Sequence, residues 1–300
     1  MIPIIDAHHH IWRQADLPWL QGPMLPRIFG PYEPLRRDYA IEEFLSDIAG
    51  SGIAGSVYVQ ANWAKDQAVD ETAWVQSVAD RHGWPHAIVG YADLLDEDAE
   101  TAIKRQTVFP LMRGVRMQLH WHENPLYRFA SAPDLAADPR LRRNMRVLAH
   151  HGLCFDLQVF GSQMVGAAAL AAANRDITFV LQHAGMLEDL SDAGVATWRE
   201  DMQRLADQPN VVTKLSALGT FMHRNDPAHI AFIVAETIAL FGAERCLFGS
   251  NFPIEKLWTS YGDLVAAYRN AIAGMSVETQ KQVLQGTAAR VYKLTSLAGA

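Results

Sequence analysis

The run Asp6-Ala7-His8-His9-His10-Ile11-Trp12 places three imidazoles in succession near the start of the chain. On an extended backbone His8 and His10 point to one side and His9 to the other. Two imidazoles side by side can share a divalent ion such as Zn²⁺, or present N–H groups to a carbonyl oxygen. Further imidazoles stand at His120, His122 and His183, so six of the 12 histidines fall at or just after short apolar runs. Amides keep them company: Gln60, Gln118, Gln158, Gln182 and Asn251. His120, with an ordinary pKa of about 6.5, suits the part of a general base at neutral pH.

Arginine is the second concentration, at Arg36, Arg37, Arg113, Arg116 and Arg128. Arg116 sits inside an apolar run, where an unpaired charge is costly, so it points to a buried task. A guanidinium matches a carboxylate through two parallel hydrogen bonds, which makes a small anionic substrate the natural partner. Trp12, Trp63, Trp121 and Trp258 also follow apolar runs and can line a pocket for a planar or sugar-like ring.

Something must bring these residues together. Eight short apolar runs, over 2–5, 56–60, 87–91, 114–119, 154–159, 178–182, 211–215 and 245–249, read as strands. Most are continuously apolar, as strands buried on both faces of a parallel sheet are. Amphipathic helices are expected over 41–49, 72–81, 96–106, 141–150, 164–173, 197–206, 228–241, 261–273 and 277–292. Asp70 and Asp226-Pro227 are start signals, and Gly83, Gly152 and Gly242 are stop signals. This alternation predicts a (β/α)₈ barrel of the TIM type, and no Gly-x-Gly-x-x-Gly turn supports an open doubly wound sheet. The histidines, amides and Arg116 then gather at the C-terminal ends of the strands, where such barrels carry their sites. One domain over 1–300 is expected, with a long proline-rich first loop at about 12–40.

Composition removes other classes. With 300 residues, 49% of them hydrophobic and only 20% charged, the chain can bury a large core and is not a disordered one. No apolar run approaches the ~18 residues of a membrane span. A net charge of −7 argues against nucleic-acid binding, which relies on neutralising phosphates. Two cysteines make no disulfide framework, and the first residues lack the pattern of a signal peptide. The expected location is the cytoplasm, with no membrane partner; homo-oligomerisation is left open.

Read in order, these segments resemble the amidohydrolase superfamily, and within it the amidohydrolase-related group of lactonases. The resemblance rests on Asp6-Ala7-His8-His9-His10-Ile11-Trp12, Leu35-Arg36-Arg37-Asp38-Tyr39, Arg113-Gly114-Val115-Arg116 and Phe155-Asp156-Leu157. It continues through Phe179-Val180-Leu181-Gln182-His183-Ala184-Gly185, Val212-Thr213-Lys214-Leu215-Ser216 and Leu247-Phe248-Gly249-Ser250-Asn251-Phe252-Pro253. It implies a distorted (β/α)₈ barrel that opens lactones of sugar acids or of aromatic degradation, 2-pyrone-4,6-dicarboxylate among them. It also implies that His8, His10 and His183 either hold one divalent cation, zinc foremost, or polarise the scissile carbonyl without metal. Arg116 and Arg113 would hold a substrate carboxylate, with Gln118, His122, Trp12 and Gln60 as further substrate contacts.

One position departs from the pattern. Asn251 stands where the family pattern carries the Asp that serves as general base or metal ligand, and an amide accepts no proton at neutral pH. Three accounts follow. A relocated base, among His120, His122, Glu123 and Glu255, serves a hydrolase. Alternatively the reaction needs no hydrolytic water, as in a lactone isomerisation or a metal-dependent decarboxylation of an aromatic or unsaturated acid. Or the barrel binds a ligand without catalysis. The first, with His120 as base, is the leading expectation.

Overall fold

A computed structural model describes residues 2–294. Eight strands alternate with helices and form one parallel sheet in sequential order, curled into a barrel. The strands are β1 (Ile4–His9), β2 (Ile53–Val59), β3 (Ala87–Gly90), β4 (Met112–Gln118), β5 (Cys154–Gln158), β6 (Phe179–Leu181), β7 (Val211–Leu215) and β8 (Cys246–Phe248). β1 begins two residues later than expected and runs on through His9, so the first two histidines lie in the strand itself.

The helices are α1 (Pro18–Gln21), α2 (Ile41–Asp47), α3 (Ala68–His82), α4 (Ala99–Thr107), α5 (Pro139–His150), α6 (Met164–Ala173), α7 (Asp192–Ala206), α8 (Pro227–Phe241), α9 (Tyr261–Ile272), α10 (Val277–Lys281) and α11 (Thr287–Val291). α8 starts as its sequence dictates: Asp226 accepts from the amides of Ala228 and His229, and Pro227 fills the first turn. Gly83 and Gly242, at φ +72° and +78°, end α3 and α8 in a conformation that costs other residues a Cβ clash. The Asp70 signal is displaced, because α3 already begins at Ala68 and Asp70 lies in its first turn. The stretch 14–38 is not structureless; it carries α1 and two short 3₁₀ turns.

Inward-facing residues of successive strands, including Val57, Val89, Val180, Val212 and Leu247, join Ala288, Ala289 and Tyr292 in one apolar group. The end of α11 therefore plugs the N-terminal end of the barrel. A larger apolar core lies between the strands' outer faces and the helices.

The join between β8 and β1 is different from the others. In place of a ladder there is one bridge, His9 to Phe252, and a side-chain clasp. Asp6 accepts from the Ser250 amide (2.8 Å), the Ser250 hydroxyl (2.6 Å) and the Tyr261 hydroxyl (2.8 Å). The barrel closes with a seam, which fits the expectation of a distorted (β/α)₈ barrel.

Candidate active site

β1 shifts register between Asp6 and His9, and beyond it His8 and His10 turn to the barrel interior. His9 turns outward, stacks on Phe44 at 3.9 Å and faces the Ser56 hydroxyl at 2.9 Å. The ring of His8 lies 5.1 Å from that of His10 and 4.8 Å from that of His183. Three imidazoles drawn from the ends of β1 and β6 thus meet at the C-terminal end of the barrel. His183 follows β6 at φ +57°, and Asn251 follows β8 at the same angle. Asn62 and Ala217, after β2 and β7, are also left-handed. Non-glycine residues held in this region are costly and concentrate at functional sites.

Above the imidazoles opens a cavity of about 450 Å³. His10, His183, Arg116, Gln118, His120, Gln158, Trp12 and Asn251 line it, as the strand-end reading requires. Its lining contains Arg27, Lys65, Arg116 and Arg128 but no Asp or Glu. Arg116 is buried, its Nη2 donates to the Gln60 carbonyl at 2.5 Å, and its Nε has no partner. Burial lowers it to about 10, so it stays cationic at neutral pH. On a chain of net charge −7, the cavity is a local positive region.

Five imidazoles, four of them buried and His183 part-buried, are neutral. Burial is the first cause of the lowered pKa at His8, His9, His10, His120 and His183, reinforced at His10, His120 and His183 by Arg116 and at His8 by Lys214. For His120 this revises the expectation of a base near 6.5: burial and Arg116 push it to about 3, the same disfavour that His10 meets, and its ring packs against Phe129.

Other expected contacts lie elsewhere. Arg113 is the second residue of β4, at the opposite end of the barrel, and its guanidinium donates to the carbonyls of Tyr292, Pro110 and Met112. It cannot hold a substrate that occupies the cavity. Gln60 is fully buried and turned aside, its Oε1 accepting from the Asn62 amide at 2.7 Å and its Nε2 donating to the Arg116 carbonyl at 3.5 Å; its own carbonyl holds the Arg116 guanidinium. His122 is outside the lining, accepting from the Asn124 amide and facing Glu188 at 3.5 Å. Glu123 is exposed. Arg37 pairs with Glu43, and Arg36 faces Glu33.

Residues from the first loop complete the wall instead: Trp19, Arg27 and Phe29, with Tyr127 and Phe221 from the loops after β4 and β7. Arg27 packs over Trp19 at 5.7 Å, and His223 Nε2 donates to the Ile28 carbonyl at 2.9 Å, tying this loop to the one after β7. Only the length and aromatic content of the loop signalled this in the sequence.

Beneath the imidazoles, Lys214 and Asp156 form a fully buried ion pair at 2.6 Å, and Tyr292 donates its hydroxyl to the other carboxylate oxygen. Behind Asn251, Glu255 is buried, with Trp258 Nε1 donating to Oε2 (2.9 Å) and Thr220 Oγ1 to Oε1 (3.4 Å).

The family model described as Amidohydrolase matches residues 5–294. The chain belongs to the amidohydrolase family. It is 30% identical over 309 residues to an L-fucono-1,5-lactonase of Burkholderia multivorans, covering 99% of this chain and 98% of that protein. It is 34% identical to an uncharacterised protein of Sinorhizobium fredii, covering 98% of this chain and 99% of that one. A crystal structure of an amidohydrolase from Burkholderia multivorans with bound zinc superposes with a TM-score of 0.81 at 27% identity, covering 97% of this chain and 99% of that one.

The zinc in that relative invites a test of the residues here. The imidazoles have suitable chemistry: both nitrogens of His8 are buried without a partner, and the Val59 carbonyl holds a proton on His10 Nδ1, leaving a lone pair on Nε2. Yet among the described residues no three His, Cys, Asp or Glu side chains are arranged as a metal-binding group. The position that would contribute a carboxylate is Asn251, and Arg116 and Lys214 bring positive charge toward the imidazoles. As assembled, the set does not fit a divalent ion.

Proposed function

We propose that the protein hydrolyses an anionic lactone in this cavity. The observation that carries this is Arg116: a buried cation, without a carboxylate partner among the described residues, on the wall of an acid-free cavity beside the imidazoles. A substrate carboxylate supplies the missing partner. Aromatic side chains from three loops offer flat apolar surface to the ring. The lactonase named among the relatives supports the reaction class.

The partners of the imidazoles assign their parts. The Val59 carbonyl can only accept, so His10 carries its proton on Nδ1 and offers Nε2 to the cavity as an acceptor. His183 Nδ1 faces the Ser216 hydroxyl at 2.8 Å, which can donate, leaving an N–H on Nε2. In this reading His183 stabilises the oxygen of the attacked carbonyl, and His10 takes the proton of the attacking water. The ring C–O bond then breaks, and the proton passes from His10 to the ring oxygen. His10 is a weak base in the empty site, because burial and Arg116 disfavour its cation. A bound carboxylate and the developing oxyanion counter both.

A panel of sugar-acid and muconate-type lactones, followed with a pH indicator, tests the proposal. At least one should open faster with the wild type than with His10→Asn and His183→Asn. If none does, the hydrolase reading is wrong. Decarboxylation is the second reading, favoured by the amide at Asn251, and evolution of CO₂ from an aromatic acid would establish it in its place.

A further inference from the structure

Glu255 lies behind the wall of the cavity, where it accepts from the lining residue Thr220 and stands against the lining residue Asn251, whose carbonyl accepts from its backbone amide at 3.4 Å. It is almost wholly buried, at 1% exposure, and no cation is paired with it among the described residues. Its neighbours are uncharged: Thr220 from the loop after β7, Trp258 from the turn after β8, the Asn251 amide, and the phenol of Tyr268 on α9. Gly219 leaves room for the pair it makes with Trp258, since a Cβ there would stand 3.0 Å from Glu255 Oε2 and 2.7 Å from Trp258 Nε1.

Asn251 has little freedom besides its amide. Its backbone is fixed at φ +57°, its N–H donates to the His8 carbonyl at 2.7 Å, and its carbonyl accepts from the Ile254 amide at 2.9 Å. What remains open is which side-chain atom faces the cavity. An amide offers a donor on one atom and an acceptor on the other, and the partner behind it selects between them. We propose that Glu255 is a positioning residue that sets the orientation of the Asn251 amide. As a carboxylate it accepts from Nδ2–H and turns Oδ1 toward the cavity, where it holds a proton of a bound water. As a carboxylic acid it donates to Oδ1 and turns Nδ2–H toward the cavity, where it meets a substrate oxygen.

The carboxyl has thus moved one side chain back from the position that Asn251 occupies, and acts on the cavity through the amide. Burial without a cation, which pushes Glu255 up to about 8, places both forms within reach of ordinary conditions. The inference deepens the proposed function but its test does not depend on turnover.

In protein labelled with ¹⁵N at asparagine, the Asn251 side-chain NH₂ signal is the one that disappears in Asn251→Ala. It should move between pH 6 and 9 with a single midpoint well above an ordinary carboxylate, and that movement should vanish in Glu255→Gln. Thr220→Val should shift the midpoint, because it removes one donor to the carboxylate. A signal that stays still in the wild type, or that titrates unchanged in Glu255→Gln, overturns the inference. Where a lactone is turned over, Glu255→Gln should also remove a limb of the kcat–pH profile while leaving KM within about twofold. Failure of every lactone would count against the hydrolase reading and leave the NMR result to judge Glu255.

Discussion

The Arg116 guanidinium donates to the Gln60 backbone carbonyl at 2.5 Å and is bridged to no carboxylate among the described residues. A backbone carbonyl fixes the direction of the side chain without cancelling its charge. The remaining charge is directed at the cavity, and that is where a substrate anion gains most.

Replacing Arg116 tests this. Hydrogen bonds to charged groups contribute about 1.5–3 kcal/mol, so Arg116→Met should lower kcat/KM for an anionic substrate by roughly 10- to 100-fold. Arg116→Lys should recover only part, because an ammonium keeps the charge but not the planar fork. Equal kinetics for the Met and Lys variants would remove Arg116 from substrate binding.

Metal content separates the direct imidazole reading from a metallohydrolase. Protein purified without chelator should carry well under one equivalent of zinc by elemental analysis, and activity should survive dialysis against a chelator. Asn251→Asp should raise zinc retention, since it restores an anionic oxygen beside the imidazoles. Stoichiometric zinc in the wild type would transfer the chemistry from the imidazoles to the ion.

Stability should fall on both sides of a narrow pH range. His9 and His120 remain neutral down to about 3, whereas in the unfolded chain they take up protons below about 6.5. The unfolded state therefore binds more protons, and stability drops as pH falls from 6.5 toward 3. Glu71 and Glu255 run the other way: held protonated to about 7 and 8, they lose their protons in the unfolded chain above about 4.5. Stability drops as pH rises from 4.5 through 8. Melting temperatures measured from pH 4 to 9 should peak between about 5 and 6.5, and Glu255→Gln should flatten the alkaline slope. A wild-type curve that stays level from 6.5 to 8.5 would contradict the burial argument for both glutamates.

Asp156→Asn should be among the most damaging single changes away from the cavity. It strands the Lys214 ammonium, fully buried, without its counter-charge. Breaking one side of a buried pair typically costs about 3–5 kcal/mol. Chemical denaturation should show a loss of that size, and Asp156→Asn combined with Lys214→Met should recover much of it. Additive losses in the double variant would mean the pair is not coupled.

Much of the arrangement was legible in the sequence because parallel strands leave continuous apolar runs and their C-terminal ends follow in order. His8, His10, His183, Arg116 and Asn251 reach one cavity wall or its floor on that logic alone. Arg113 was misplaced although it stands only three residues from Arg116, since an odd spacing along β4 turns it to the other face and it lies at the strand's N-terminal end. His120 was located correctly but its basicity was not, because its depressed pKa comes from burial and from a guanidinium on a different residue. Glu255 stood in the sequence only as one of four candidate bases: its place behind Asn251 depends on the turn after β8, and a turn's path is not written in periodicity. The left-handed residues at the strand ends are equally hidden, being non-glycines where glycine would have advertised the bend.

The Asp6 clasp has a consequence for the site's motion. A ladder would hold β8 to β1 along its length, but here one carboxylate gathers three donors and two backbone bonds lie beside it, so the junction is concentrated at one end of the strands. Two amides that donate across the junction, those of His10 and Asn251, belong to the candidate chemistry. They should become exchangeable with solvent deuterium in the same event, and before the amides of β4 and β5. The candidate site and the seam of the barrel would then be a single mechanical element, and an opening of the seam would be felt first by the residues proposed to do the chemistry.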